Sequence, residues 1–401
     1  MDLSMYLSYG NASSDSIYMA ALTDDTKYIV RYYESGSDIH LVDERLQTLL
    51  HLASRNKALK SLELLLLLGV DPNIGDKYNE TPLHIASYMG NIEMVELLLK
   101  CNGNPNHRNN SFQTPLHKAA YKGSVEVIDI LLKNGADIFA VDENLTSVIQ
   151  FAVRSKKIKA VQFLVDKKAI VNSLDIRLSS TLHYAASYST VAIVRYLIEL
   201  GVNPYSKDIY QLTPLHIAVE HPDEEMVETF VEYGLTSYDM SKFGQSPYDI
   251  AIHKNKYEAV ELFNKLKNDK DYQSRLKSNA LTLSIVRSDF DQADSLIPRS
   301  NVNTKDIFGN TPLFYAIMNQ EPYLVERLLQ FDASIYTIDK MQLDAIYYAV
   351  LVGNESIVKT ILKKQVNLNK KYLGYTVVEY AMFTGDLDIY NILKNKEDWF
   401  Y

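Results

Sequence analysis

Thr81-Pro82-Leu83-His84-Ile85-Ala86 returns as Thr114-Pro115-Leu116-His117-Lys118-Ala119 and as Thr213-Pro214-Leu215-His216-Ile217-Ala218. Weaker copies are Thr48-Leu49-Leu50-His51-Leu52-Ala53 and Ser180-Thr181-Leu182-His183-Tyr184-Ala185. The histidines stand at 51, 84, 117, 183 and 216, in steps of 33, 33, 66 and 33, and Gln150 fills the missing phase. Asp43, Asp76, Asp142, Asp175 and Asp208 keep the same phase five residues before the Thr position, with Asn109 in the gap. One period back from His51 falls on Tyr18, and one period forward from His216 on Asp249. A fixed period of this length marks a repeat array in which each unit is one supersecondary motif. Beyond residue 280 the phase slips by one and continues. Thr311-Pro312-Leu313-Phe314, Ala345-Ile346-Tyr347-Tyr348 and Thr376-Val377-Val378-Glu379 open units there, and a worn copy spans Leu281 to Asn303. The reading gives about twelve units, the first and last degenerate.

Each unit reads as a helix pair. Thr at its opening suits an N-cap, and Pro at the first helical position loses no hydrogen bond. Gly90, Gly123 or Gly353 turns the chain into a second helix carrying apolar residues at helical spacing, such as Val95, Leu98 and Leu99. Gly135 or Gly201 then ends that helix as a left-handed cap. The segment around the Asp reads as a loop forming a hairpin finger. One unit exposes too much apolar surface to fold alone, so neighbours must cover it. Each histidine is expected to bond locally between adjacent units. A metal ladder is the sharper reading, and it fails on distance, because rings one repeat apart cannot share a zinc at about 2 Å.

At 401 residues the chain exceeds one ordinary core, and its 15 Gly and 11 Pro argue against low complexity. The formal net charge of -9 makes a nucleic-acid partner a poor fit. Cys101 is the single cysteine, which excludes a disulfide framework or a four-cysteine zinc site. It follows a helix in an ordinary unit and reads as a small structural thiol. Met1-Asp2-Leu3-Ser4-Met5-Tyr6 has no basic region leading into an apolar stretch, so no signal peptide is expected. The apolar run around Leu62 to Val70 is far short of a membrane span. A cytoplasmic protein is expected.

The period, with T-P-L-H-x-A and L-L-x-x-G-A, resembles the ankyrin repeat and covers nearly the whole chain. The resemblance implies an all-α fold, an ankyrin-repeat solenoid of helix-turn-helix units with finger loops. It also implies binding of protein partners on the concave side, made of finger tips and first helices. The place three residues before Thr holds Arg45, Tyr78, Ser111, Asn144, Arg177, Tyr210, Phe243, Phe308, Met341 and Leu373, with Phe112 one place later. Arg177, Tyr210 and Phe243 on successive fingers are the first candidates for partner binding, followed by Tyr78, Phe112 and Phe308. The alternative is that these rings fold back on neighbouring fingers.

The unit from about 246 to 278 lacks the Gly-Ala-x-x-Asn ending and runs into Asn264-Lys265-Leu266-Lys267-Asn268-Asp269-Lys270-Asp271. A first stack of about eight units over 1–263, an irregular junction over 264–280 and a second stack of about four units over 281–401 are expected. Lys156-Lys157-Ile158-Lys159 reads as a solvated turn, and Asp398-Trp399-Phe400-Tyr401 as a cap over the last apolar face.

No G-x-x-x-x-G-K-S/T loop, G-x-G-x-x-G, H-E-x-x-H, C-x-x-C or G-x-S-x-G is present. No catalytic residue, cofactor, metal or small-molecule substrate is therefore expected, and no enzymatic activity. The wealth of Tyr, Asn, Lys and Ile in a long degenerate array resembles poxvirus ankyrin-repeat proteins, especially those of avian poxviruses. That resemblance implies capture of a host protein in the host cytoplasm, in host-range or immune-evasion roles. Many such proteins end in an F-box-like segment that recruits a ubiquitin ligase, and no such segment is recognisable over Tyr390 to Tyr401. The alternatives are a ligase adaptor and an effector of an intracellular bacterium.

Overall fold

The computed structural model describes residues 16–269, 280–306, 309–339, 342–372 and 374–397. The expected junction lies largely, and the expected tail cap wholly, outside these residues. Twelve helix pairs are present among them. The first helices of the pairs begin at residues 17, 49, 82, 115, 148, 181, 214, 247, 280, 312, 345 and 377. From Leu49 to Ala280 every step between them is 33 residues, so the period holds across the weak ending near 264. By proximity in space the chain forms two compact units, Met1–Leu164 and Val165–Tyr401. The expected break near 264–280 lies inside the second of these.

The repeat motif is explained atom by atom in helix Pro82–Met89. Thr81 enters it in extended conformation and Pro82 takes the first position. The Thr81 N–H donates to His84 Nδ1 at 3.1 Å, and the Thr81 hydroxyl lies 2.9 Å from the same nitrogen. With Nδ1 accepting, the proton sits on Nε2, which donates to the carbonyl of Gln113 in the next unit at 3.0 Å. His51 makes the same bridge to Glu80, and His183 to Leu212. The imidazole thus caps its own helix and ties it to the following unit. Gly90 ends the helix at φ 70° and Gly123 ends the next first helix at φ 69°, a region that costs a side-chain-bearing residue about 1 kcal/mol.

Packing runs from unit to unit. In Met1–Leu164 the first helices Ile17–Thr23, Leu49–Asn56, Pro82–Met89, Pro115–Lys122 and Val148–Arg154 pack side by side in order. Leu49, Leu83, Leu116 and Val148 are fully buried between them. In Val165–Tyr401 the same order holds for Thr181–Tyr188, Pro214–Ala218 and Pro247–His253, and again from Ala280–Val286 to Val377–Thr384. The fingers are hairpins. Val42 bridges Thr48, Val141 bridges Ser147, Leu174 bridges Ser180, and Lys371–Tyr372 pairs antiparallel with Tyr375–Thr376.

Burial holds the repeat histidines neutral. Desolvation pushes His117 down to about 3, and His84 and His216 to about 4, against about 6.5 for an exposed ring. The unfolded chain therefore takes up protons below pH 6.5 that the folded chain refuses. The stability this contributes is complete above pH 6.5. It is lost as the pH falls from there toward each folded value, by about 1.4 kcal/mol per histidine per pH unit. Gln150 shows the uncharged alternative, since its Oε1 accepts from the Ser147 N–H at 2.8 Å. His117→Gln is expected to keep most neutral-pH stability and to flatten the loss of urea midpoint between pH 6.5 and 4. An unchanged acid slope in that variant would show that these rings do not set the pH response.

Candidate functional site

The finger backbone is fixed before its side chains are considered. Asp175 Oδ1 accepts from the N–H of Arg177 at 2.8 Å and of Ser179 at 2.7 Å. Asp208 serves Tyr210 and Leu212 in the same way, and Asp76 serves Tyr78 and Glu80. The Ser241 hydroxyl takes this role for Phe243 and Gln245. On their other side, the carbonyls of Tyr78, Arg177 and Tyr210 accept from Asn110, Ile209 and Lys242 of the following finger, at 2.8–2.9 Å. The residue three before Thr is thus held at both peptide groups, and its side chain is left outside.

Those side chains are exposed: Tyr78 is 57%, Phe243 67% and Tyr210 38% accessible, and Arg177 is exposed as well. Tyr210 and Phe243 stack across adjacent fingers, with ring centroids 5.8 Å apart. The two readings of these rings therefore coexist, since they lean on each other and still face solvent. The Lys77 ammonium sits 4.7 Å from the Tyr78 ring centroid, and the Arg108 guanidinium 5.9 Å from that of Phe112. These cations desolvate little at an open surface, and each contact contributes about 0.5–1 kcal/mol. Phe308, like Met341 and Leu373, lies outside the described residues.

The place after these residues has a property the sequence reading missed. Leu46, Asn79, Phe112, Leu145, Leu178 and Gln211 all have φ between 58° and 60°, the left-handed conformation that glycine takes at Gly244. Leu46, Phe112 and Leu145 are also 44–52% exposed. Strain and exposed apolar surface both act against stability at Leu46, Phe112 and Leu145, partly offset at Phe112 by the Arg108 contact. The signal was available in the repeat phase, where Gly244 aligns with the large residues.

A second group was also missed. The fourth residue after each histidine position gives Arg55, Tyr88, Tyr121 and Arg154 on successive first helices. Tyr88 and Tyr121 stack at 6.2 Å with planes 15° apart, and the Arg154 guanidinium sits 5.3 Å from the Tyr121 centroid. Tyr88 and Tyr121 are 49% and 39% exposed. Lys118 pairs with Glu80 at 2.5 Å beside this column, and that neighbour holds the Glu80 carboxyl below its ordinary value against the opposing effect of burial.

Among the described residues no group of three or more His, Cys, Asp or Glu is placed to hold a metal ion. Cys101 is half-buried at the C-cap of helix Ile92–Lys100. Lys156, Lys157 and Lys159 are exposed. No described helix is long and apolar enough to cross a membrane.

Stacked helix pairs with hairpin fingers define a repeat scaffold whose working part is its surface. The family model for ankyrin repeats (3 copies) matches residues 17–109, 50–142, 101–175, 182–275 and 281–372, so the chain belongs to the ankyrin-repeat family. Ankyrin repeats are in general protein–protein interaction modules and a non-catalytic scaffold. The chain is 34% identical over 105 residues to an ankyrin repeat protein of Acanthamoeba polyphaga mimivirus, covering 26% of this chain and 13% of that one. It is 27% identical over 113 residues to an ankyrin repeat protein of Fowlpox virus, covering 28% of this chain and 16% of that one. The matches thus span less than a fifth of those relatives' lengths. The human ASB11 ankyrin repeat domain superposes with a TM-score of 0.49 at 23% identity, over 55% of this chain and 97% of that domain.

Replacing Leu145 by Gly removes left-handed strain and an exposed apolar side chain together. The variant is expected to gain about 0.5–1 kcal/mol, read as a higher urea midpoint. A lower midpoint would mean that the Leu145 side chain supports the fold.

Proposed function

We propose that the chain binds a protein partner of a host cell through its finger tips and the adjoining faces of its first helices, in the cytoplasm. In the first unit the anchors are Tyr78 and Phe112, with Tyr88 and Tyr121 extending them; in the second unit, taken by itself, they are Arg177, Tyr210 and Phe243. The observation carrying this reading is the placement of large apolar residues on pinned, solvent-facing backbone, including Phe112 at a position suited to glycine. Rigid aromatic anchors lose little entropy on binding and dominate interface energetics. A role in host range or immune evasion is supported by the likeness to ankyrin repeat proteins of a poxvirus and a mimivirus. Partner capture does not need chemistry at the site, consistent with the absence of catalytic motifs in the sequence.

Affinity purification from expressing host cells with mass spectrometry identifies the partner, and Tyr210→Ala with Phe243→Ala tests the face. The double variant is expected to keep its fold, because exposed substitutions shift stability by about 0.5 kcal/mol or less. It should weaken capture by at least about 30-fold, the loss of roughly 2 kcal/mol at an aromatic hot spot. Undiminished capture would place the partner elsewhere. Recovery of cullin–Skp1 components would favour the ligase-adaptor reading.

A further inference from the structure

Four contacts in Val165–Tyr401, the last two side by side, join residues that are far apart in sequence. Asn172 Nδ2 donates to the Tyr348 hydroxyl at 2.9 Å. The rings of Tyr205 and Tyr315 meet edge to face at 5.7 Å. Arg287 Nε lies 3.7 Å from Asp239 Oδ1, and beside this pair Lys207 Nζ donates to the Ser288 hydroxyl at 3.0 Å. On one side the contacts advance through 172, 205 and 239, steps of 33 and 34 residues. On the other they retreat through 348, 315 and 287, steps of 33 and 28. One rung per repeat, in opposite order, is the signature of two rows of repeats lying antiparallel at the repeat pitch. A chance collision between distant loops would give one contact and no period.

The two sides are different parts of the repeat. Asn172, Tyr205, Lys207 and Asp239 belong to the segments leading from a second helix to the next finger. Tyr315 and Tyr348 stand on first helices, in the place just after the histidine position. Tyr184 occupies that place in helix Thr181–Tyr188, and its hydroxyl also donates to the Asp of its own finger, Asp175, at 2.9 Å. It remains half-buried, whereas Tyr315 and Tyr348 are 0% and 2% exposed. Tyr380 shares that place and is 3% exposed, so packing within the row already buries it, and the rungs add distant partners. Asp239 is buried as well, and desolvation raises its carboxyl above the ordinary value against the pull of Arg287 and Lys207.

We propose that the first-helix face of the repeats from Ala280 to Leu351 is a docking surface occupied by the chain's own row 172–239, a clasp that closes the second unit on itself. The rows are joined through 264–280, the segment whose sequence drops the repeat's usual ending. The face that an ankyrin array ordinarily offers to a partner is self-engaged here, and partner binding is left to the fingers and to the first unit.

The full-length chain tests this by charge exchange across the third rung. Asp239→Arg and Arg287→Asp each place like charges together, and the pair of substitutions restores the attraction with its sense reversed. Each single variant should speed amide hydrogen exchange at least tenfold in 203–208 and in 312–318, with exchange in 49–154 unchanged as the control for folding. The double variant should return toward wild type. Unchanged exchange in the singles, or no recovery in the double, overturns the clasp. A second measurement does not depend on destabilising anything. In a Cys101→Ser background, Lys207→Cys with Ser288→Cys should be joined within one chain by a short bis-maleimide. Monomer left unlinked, or linkage only between two chains, overturns the self-engaged arrangement; the latter makes a second copy the occupant.

Discussion

Every helix pair in this chain needs its neighbour to cover the apolar side it cannot bury itself. Leu49, Leu83, Leu116 and Val148 are completely enclosed between successive first helices. The buried imidazole adds direction to this burial by capping its own helix and bonding forward to a carbonyl one unit on. Contacts one repeat apart therefore carry the stability of the array. They also explain why units that have lost T-P-L-H still fold. Tyr347 and Phe314 occupy the histidine place in the later units and are buried among other rings, so apolar contact replaces the polar bridge.

The fingers follow a different rule. Their backbone is held by hydrogen bonds to the Asp and to the next finger, so the outward side chains are not needed to fix it. At Phe112, Leu145 and Leu46 the outward residue even works against the fold, through left-handed backbone and exposed apolar area. A surface that gives up stability in a repeated, phased way fits the proposed role in partner contact. The column of Tyr88, Tyr121 and Arg154 extends the same character onto the first helices.

In the second unit the first-helix face has another use. Rings and a carboxylate that meet distant repeats turn part of the array toward itself, which is the proposed closure. Such a closure gives cooperativity to an architecture that is otherwise nearest-neighbour, because each rung joins repeats that are not adjacent.

The sequence by itself determined the repeat, the helix pairs, their starting residues and the finger turns. All of these arise from interactions within one period or between adjacent periods, and so they leave a phased signal in the residues. Arg177, Tyr210 and Phe243 could be placed on finger tips for the same reason, and the left-handed positions were legible from Gly244. Tertiary structure alone decided which members of a repeated position also meet distant residues. Tyr184, Tyr315, Tyr348 and Tyr380 share one place in the motif and all but Tyr184 are buried, while Tyr315 and Tyr348 in addition meet residues far away in sequence. Their partners lie up to 176 residues away, and a contact across that distance is set by where two rows of repeats meet in space, which no period within either row encodes.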